Sequence, residues 1–210
     1  MGRSLSHAAT SSDKMQREAC ALQSRIEILE RELTVYKTEN ERLLARVTFF
    51  ERHPCLAAGI KGETIIAELL SRARTTGNAS YDIEGSVHLE VKYSRLTTNS
   101  NRYPVKRWTW GTVFGMGGNK VYDQLILLGD KDPAFNHSYK DPSCPYVLFD
   151  VPYANVCDLI TDGGTARDLI RLSSNPSRVS SRSRMLFSEF QVTQAVLESR
   201  YGVYTRRAAK

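Results

Sequence analysis

The chain has 210 residues, 41% apolar and 25% charged, enough for one medium domain plus an accessory segment, with a formal net charge of +6. Four cysteines, Cys20, Cys55, Cys144 and Cys157, lie far apart with no CxxC pair. That argues against a structural zinc site or a disulfide framework and suits a reducing, cytoplasmic setting, nucleoid-associated if the host is prokaryotic. With no apolar run of membrane-spanning length and no secretory core near residue 1, no membrane partner is expected.

Residues 1–14 are rich in Ser and Ala and read as a disordered N-terminus. From residue 15 to 53 the pattern changes. Leu22, Ile26, Leu29, Leu33, Tyr36, Asn40, Leu43, Val47 and Phe50 alternate at spacings of four and three with no Gly or Pro between them, a sustained heptad seam. Asn40 falls at an a position, which fixes register and favours two parallel strands. The pairs Arg25/Glu30, Glu32/Lys37 and Arg46/Glu51 are opposite in sign, as a parallel dimer requires. The expectation is a parallel coiled-coil homodimer, with a higher oligomer the remaining option, ended by His53-Pro54.

Residues 54–203 read as one catalytic-sized domain, followed by a basic tail at 204–210. A helix is expected over 56–74, with Ile60, Ile65, Ile66, Leu69 and Leu70 inward, then a loop over 75–80. Over residues 81–94, YDIEGSVHLEVKYS, Val87, Leu89 and Val91 alternate with His88, Glu90 and Lys92, the period of a half-buried strand. Gly85 and Ser86 supply a turn and 81–84 a preceding strand, so a hairpin brings Asp82 beside Glu90, with Lys92 on the face of Glu90. Two adjacent carboxylates either raise a pKa or recruit a cation, and hard oxygens at an open site suit Mg2+, with Mn2+ as a substitute. The spacing alone also allows a plain surface hairpin.

Between residues 91 and 122 there are six basic side chains, Lys92, Arg95, Arg102, Lys106, Arg107 and Lys120, and no acid. With Tyr93, Tyr103, Trp108 and Trp110 interleaved, this segment fits a polyanion such as double-stranded DNA. Arg95, Asn99, Arg102, Lys106, Arg107 and Lys120 are the candidate contacts, most of them on or beside a polar loop over 96–107; at least one of the two tryptophans is expected in the core. Three glycines, Gly115, Gly117 and Gly118, match no nucleotide-binding fingerprint.

Strands are expected over 122–128 and 146–151, separated by a loop in which His137 is solvated, and a helical segment over 156–172 broken at Gly163-Gly164. Residues 173–184 combine Ser and Arg without an acid, so Arg178, Arg182 and Arg184 are candidates for phosphate contact, a solvated linker being the alternative. An amphipathic helix over 185–201 closes the domain.

In this order the residues resemble the core of the PD-(D/E)XK nuclease superfamily, the restriction-endonuclease-like fold. A helix carries Glu63 in a KGE motif, then come Asp82, a glycine turn and Glu90-Val91-Lys92. The resemblance, strong over residues 59–94, implies an α/β fold with a mixed sheet flanked by helices, here preceded by the long parallel coiled-coil helix. It implies Asp82 and Glu90 as metal-holding acids, Lys92 as the catalytic lysine and Glu63 as the acid given by the first helix, with Glu84 and Glu68 as competitors for the acid roles. The pattern lacks the proline that often precedes the first acid, and the gap from Asp82 to Glu90 is short. The function implied is Mg2+-dependent hydrolysis of double-stranded DNA, as by a site-specific type II restriction endonuclease acting as a homodimer and leaving 5′-phosphate and 3′-hydroxyl ends. Homing, repair or junction-resolving nucleases of the same superfamily, or a non-catalytic DNA-binding coiled-coil protein on this fold, are the alternatives.

Overall fold

The computed structural model describes residues 5–75, 79–99, 104–115, 118, 120–161, 168–177 and 180–203, without the side chains of 5–13, 55 and 182. Contacts divide the chain into two units, Met1–Pro54 and Cys55–Lys210. The division falls between Pro54 and Cys55.

The first unit is a helix, α1 (Leu5–Arg52). It starts within the stretch expected to be disordered. No Gly or Pro interrupts residues 5–52, so nothing in the covalent chain stops the helix from running back to Leu5. Leu22, Ile26, Leu29, Leu33, Tyr36, Leu43 and Val47 of the heptad seam are all exposed along it. At its end the His53 ring Nδ1 lies 2.8 Å from the Phe49 carbonyl, and Pro54, lacking an N–H, opens the next helix instead of continuing this one.

The second unit begins with α2 (Pro54–Leu70), four residues shorter at its C-terminus than expected. A four-stranded mixed sheet forms the centre. β1 (Leu89–Ser94) runs parallel to β4 (Gln124–Asp130), which pairs antiparallel with β5 (Tyr146–Pro152), and β5 pairs antiparallel with the short β7 (Gln191–Val192). A smaller antiparallel sheet has the order β2 (Thr97–Thr98), β3 (Lys106–Trp110), β6 (Ile170–Ser173). A 3-10 turn over Pro133–Ser138, in the stretch expected to be a loop, the short helices α3 (Tyr153–Leu159) and α4 (Ser181–Met185) and the closing α5 (Gln194–Tyr201) complete it.

The apolar run of β4 is buried on both faces, as a central strand requires. Leu125 and Leu127 join Trp108, Trp110, Phe149, Val151 and Ile170 on one side, while Ile126 and Leu128 join Ile66, Leu70, Leu89, Val91 and Leu197 on the other. Both tryptophans are therefore core. Their indole N–H groups donate to backbone carbonyls at the end of β4, Trp108 to Asp130 at 2.8 Å and Trp110 to Leu128 at 2.7 Å. Gly129 makes this possible, because a Cβ there would lie 2.5 Å from Trp108 Nε1.

Several expectations need correction. Residues 81–84 form no regular strand; Ile83 makes only isolated bridges to Leu89 and Arg74. The 96–107 region is no free loop, since Thr97 and Thr98 pair with β3, which starts at Lys106. Residues 156–172 hold the end of α3 and the strand β6 in place of one broken helix, and 162–167 lie outside the described residues. The closing helix over 185–201 is interrupted: a π-helical turn, Leu186–Phe190, leads into β7, and α5 starts only after Thr193, whose hydroxyl caps the Val196 N–H. A β-branched cap residue in extended conformation ends one helical pattern and begins another, which hydrophobic spacing alone does not register.

Candidate active site

The site is built where the segment before β1 folds back on that strand. The Asp82 N–H donates to the Leu89 carbonyl at 2.8 Å, and the Asp82 Oδ2 accepts from the Val91 N–H at 2.8 Å. These bonds clamp the Asp82 side chain against the strand that carries Glu90. Upstream, the Asp123 carboxylate caps the His88 N–H at 2.8 Å, and Tyr81 stacks on the His88 ring with centroids 4.1 Å apart. The expected proximity of Asp82 and Glu90 thus arises from side-chain clamps and isolated bridges in place of a hairpin ladder.

β1 differs from the half-buried strand read from its alternation. Leu89, Val91 and Tyr93 pack toward α2, while Glu90, on the opposite face, is fully buried. A carboxylate without solvent needs cations or donors close by. Lys92 Nζ lies 2.6 Å from Glu90 Oε1, and Lys120 Nζ lies 2.6 Å from both Glu90 oxygens and 3.1 Å from Asp82 Oδ1. Two carboxylates and two ammonium groups therefore make one compact, formally neutral cluster. Burial pushes the Glu90 carboxyl above its ordinary value and the Asp82 charge pushes the same way, against the pull of Lys92 and Lys120. Burial alone would lower Lys120, but its bonds to Glu90 and the charges of Glu90 and Asp82 prevail and hold the ammonium above its usual range.

The sequence pattern groups Lys120 with the DNA contacts; the structure sets it between the two acids. It is carried by a loop whose backbone turns through Thr112 and Gly115, both at positive φ, and its N–H donates to the Phe114 carbonyl at 3.1 Å. The methylene stem lies over Gly115, where a Cβ would be 2.8 Å from Lys120 Cγ. The glycine-rich approach to Lys120 was the available signal: such a run lets backbone and side chain come close where a phosphate-binding fingerprint is absent.

Glu63 is placed differently from the other three. It sits on α2 with its Oε2 held by Arg74, at 2.5 Å from Nη2 and 3.1 Å from Nε. Among the described residues, no group of three or more His, Cys, Asp and Glu side chains is clustered as a metal cage. Glu63 is therefore not gathered with Asp82 and Glu90, and Glu84 and Glu68 are exposed. The neighbouring Gly62 lets α2 approach β1 closely, since a Cβ there would be 2.5 Å from Tyr93 Cβ. Lys61 then reaches the Tyr93 hydroxyl at 2.8 Å, and that hydroxyl donates to Asp130 at 2.6 Å.

The remaining basic candidates lie around the second sheet. Arg95 is exposed just past β1, and Asn99 is half-buried with its N–H bonded to the Val105 carbonyl at 3.0 Å. Arg107 is half-buried in β3. Lys106 is tied at 3.1 Å to the buried Asp132, which also accepts from the Ser174 hydroxyl at 2.8 Å. Arg184 is exposed on α4. Arg102 and Arg178, and the side chain of Arg182, lie outside the described residues.

The donor chemistry fits a hard divalent cation. Asp82 Oδ1 and both Glu90 oxygens already converge on one positive centre, the Lys120 ammonium. Two protein carboxylates, with water and substrate oxygens completing the shell, are what Mg2+ ordinarily takes. No helix among the described residues is long and apolar enough to cross a membrane. No protein-family model matches the chain and no curated protein matches it, so the reading of this cluster rests on its own geometry and chemistry.

Proposed function

We propose that the protein is a Mg2+-dependent endonuclease of restriction-endonuclease-like fold, hydrolysing double-stranded DNA as a homodimer joined through α1. The carrying observation is the convergence of the Asp82 and Glu90 oxygens on a single cation position, with Lys92 2.6 Å from Glu90, on an α/β unit with a mixed sheet.

In this reading Asp82 and Glu90 hold the metal against the scissile phosphate. Bound there, Mg2+ supplies positive charge at the phosphoryl group and acidifies water. Lys92, 2.6 Å from Glu90 Oε1, donates to the attacking water and to phosphate oxygen, so that it orients the nucleophile and offsets developing charge. Arg95, Arg107 and Arg184 contribute phosphate contacts of the non-specific, salt-dependent kind. Glu63, engaged by Arg74, supports the α2 side of the fold in place of the metal. The exposed heptad seam supports a parallel pair of α1 helices, with Asn40 setting the register. Two nucleolytic units then match the opposed strands of a palindromic target.

Cleavage of supercoiled plasmid with Mg2+ or EDTA, by wild type and Lys92→Ala, tests this. Nicked or linear product only with Mg2+ and wild type is expected. Tight DNA binding by wild type without cutting of any DNA under either condition would sink the nuclease reading and leave the non-catalytic one.

A further inference from the structure

The Asp82–Glu90 pair holds a cation already, and it is part of the chain. Lys120 Nζ makes three contacts with the two carboxylates, at 2.6, 2.6 and 3.1 Å, whereas Lys92 pairs with Glu90, 2.6 Å from Oε1, and not with Asp82. The contacts of Lys120 are thus the ones a divalent ion placed between the acids would need. Ammonium and metal cannot share the same oxygens at these distances, because like charges that close repel strongly in a partly dehydrated site. Lys92, by contrast, pairs with Glu90 and leaves Asp82 free of it.

We propose that Lys120 is a resident counter-ion that divalent metal replaces: it holds Asp82 and Glu90 converged without metal, and its ammonium leaves the pair when the ion enters. The proposal rests on reading the acid pair as a metal site.

Three features favour exchange over a fixed structural salt bridge. The ammonium sits on a four-carbon stem, and only rotations about that stem are needed to withdraw it. The stem is partly exposed, with the side chain at 23% of its free accessibility, while Glu90 is at 0%, so the lysine has a route to solvent that the glutamate lacks. And the balance of charge asks for it. With Lys120 in place the four groups are neutral; adding a dication without displacement leaves two surplus positive charges beside a buried carboxylate, while displacement leaves the two acids facing the ion and Lys92 alone. A counter-ion of this kind also has a cost in affinity, since the metal binds only the fraction of molecules in which the lysine has withdrawn.

Two measurements on the full chain test the exchange. The first is Mn2+ binding by calorimetry to wild type, Lys120→Met, Lys120→Arg and Asp82→Asn. Lys120→Met is expected to bind Mn2+ at least about ten-fold more tightly than wild type, Lys120→Arg close to wild type, and Asp82→Asn weakly or not at all. The second needs no variant: labelling of wild-type lysines by an amine-reactive ester, read by mass spectrometry at Lys120. Mg2+ is expected to raise modification of Lys120 several-fold and leave the α1 lysines Lys14 and Lys37 unchanged. Binding by wild type that Asp82→Asn abolishes, but that Lys120→Met fails to strengthen while Lys120 labelling stays flat, overturns the exchange and spares the metal site. Absence of binding in both wild type and Lys120→Met overturns the exchange together with the metal reading. Loss of plasmid cleavage alone, with both expected results obtained, counts against the nuclease reading and leaves the exchange standing.

Discussion

Replacing Glu90 by Gln tests the electrostatic construction of the site without changing its shape. Glu90 is fully buried and receives two ammonium groups, each at 2.6 Å. At that separation each unit-charge pair is worth about 6 kcal/mol at an effective dielectric of about 20, before the cost of dehydrating the groups. That cost is large, and the upward push of burial on the Glu90 carboxyl is its signature. The carboxylate on balance gains little for the fold, but removing its charge alone leaves Lys92 and Lys120 facing one neutral amide. Breaking a buried pair in this way costs about 3–5 kcal/mol. Removing Lys92 as well restores neutrality, because Lys120 retains Asp82 at 3.1 Å. Glu90→Gln/Lys92→Met is therefore expected to recover most of that loss, to within roughly 1–2 kcal/mol of wild type. Urea unfolding monitored by tryptophan fluorescence reads both variants. If Glu90→Gln costs less than about 1 kcal/mol, or if Lys92→Met adds its own loss to that of Glu90→Gln, the four groups do not form one charge-balanced cluster.

Three further expectations concern other parts of the molecule. Gly129→Ala drives a methyl into the Trp108 indole and threatens its bond to Asp130 O, so a loss of about 2–4 kcal/mol is expected, read by the same urea titration; a change within about 0.5 kcal/mol would show that β4 and Trp108 can shift apart. The Asp141 carboxyl is held below its ordinary value by the Ser143 hydroxyl and by the N–H groups of Gln194, Cys144 and Ser143, so its stabilisation is complete above the unfolded pKa and lost as pH falls through and below about 4. Asp141→Asn should flatten the fall of stability between about pH 5 and pH 3, and an unchanged slope in thermal melts would contradict this. In sedimentation equilibrium, the full chain is expected to be dimeric, Asn40→Ile to loosen the choice of oligomer while stabilising the coil, and a chain lacking residues 1–52 to be monomeric; a dimer in that truncated chain would remove α1 from the role of pairing device.

Much of the molecule was legible in the residues, and the exceptions have physical causes. The apolar run around Ile126 announced a central strand because burial on both faces demands one, and the heptad seam announced α1 because no Gly or Pro competes with it. Asp82, Glu90 and Lys92 were found as a set. The route by which they meet was not, since it depends on single hydrogen bonds from Asp82 to Leu89 and Val91 that leave no periodic trace. Lys120 shows the same limit: thirty residues separate it from Glu90, and charge counting placed it with the arginines. Glu63 fitted the expected order, yet Arg74, eleven residues on, takes its carboxylate. Thr193 divided what hydrophobic spacing presents as one helix. In each case a long-range or capping bond overrode a local pattern.

The two tryptophans give the protein a built-in division of optical signals. The chain has only Trp108 and Trp110, with ring centroids 6.0 Å apart, and both stand in the core of the unit Cys55–Lys210. Indole emission thus follows only the unit that carries the acids. Circular dichroism at the helical minimum, by contrast, is weighted toward the 48 residues of α1. Followed together during heating, the two signals separate if α1 melts independently of the unit that carries the acids and superimpose if the two share one cooperative transition. One unmodified sample can therefore report whether melting α1 also costs the fold of the second unit.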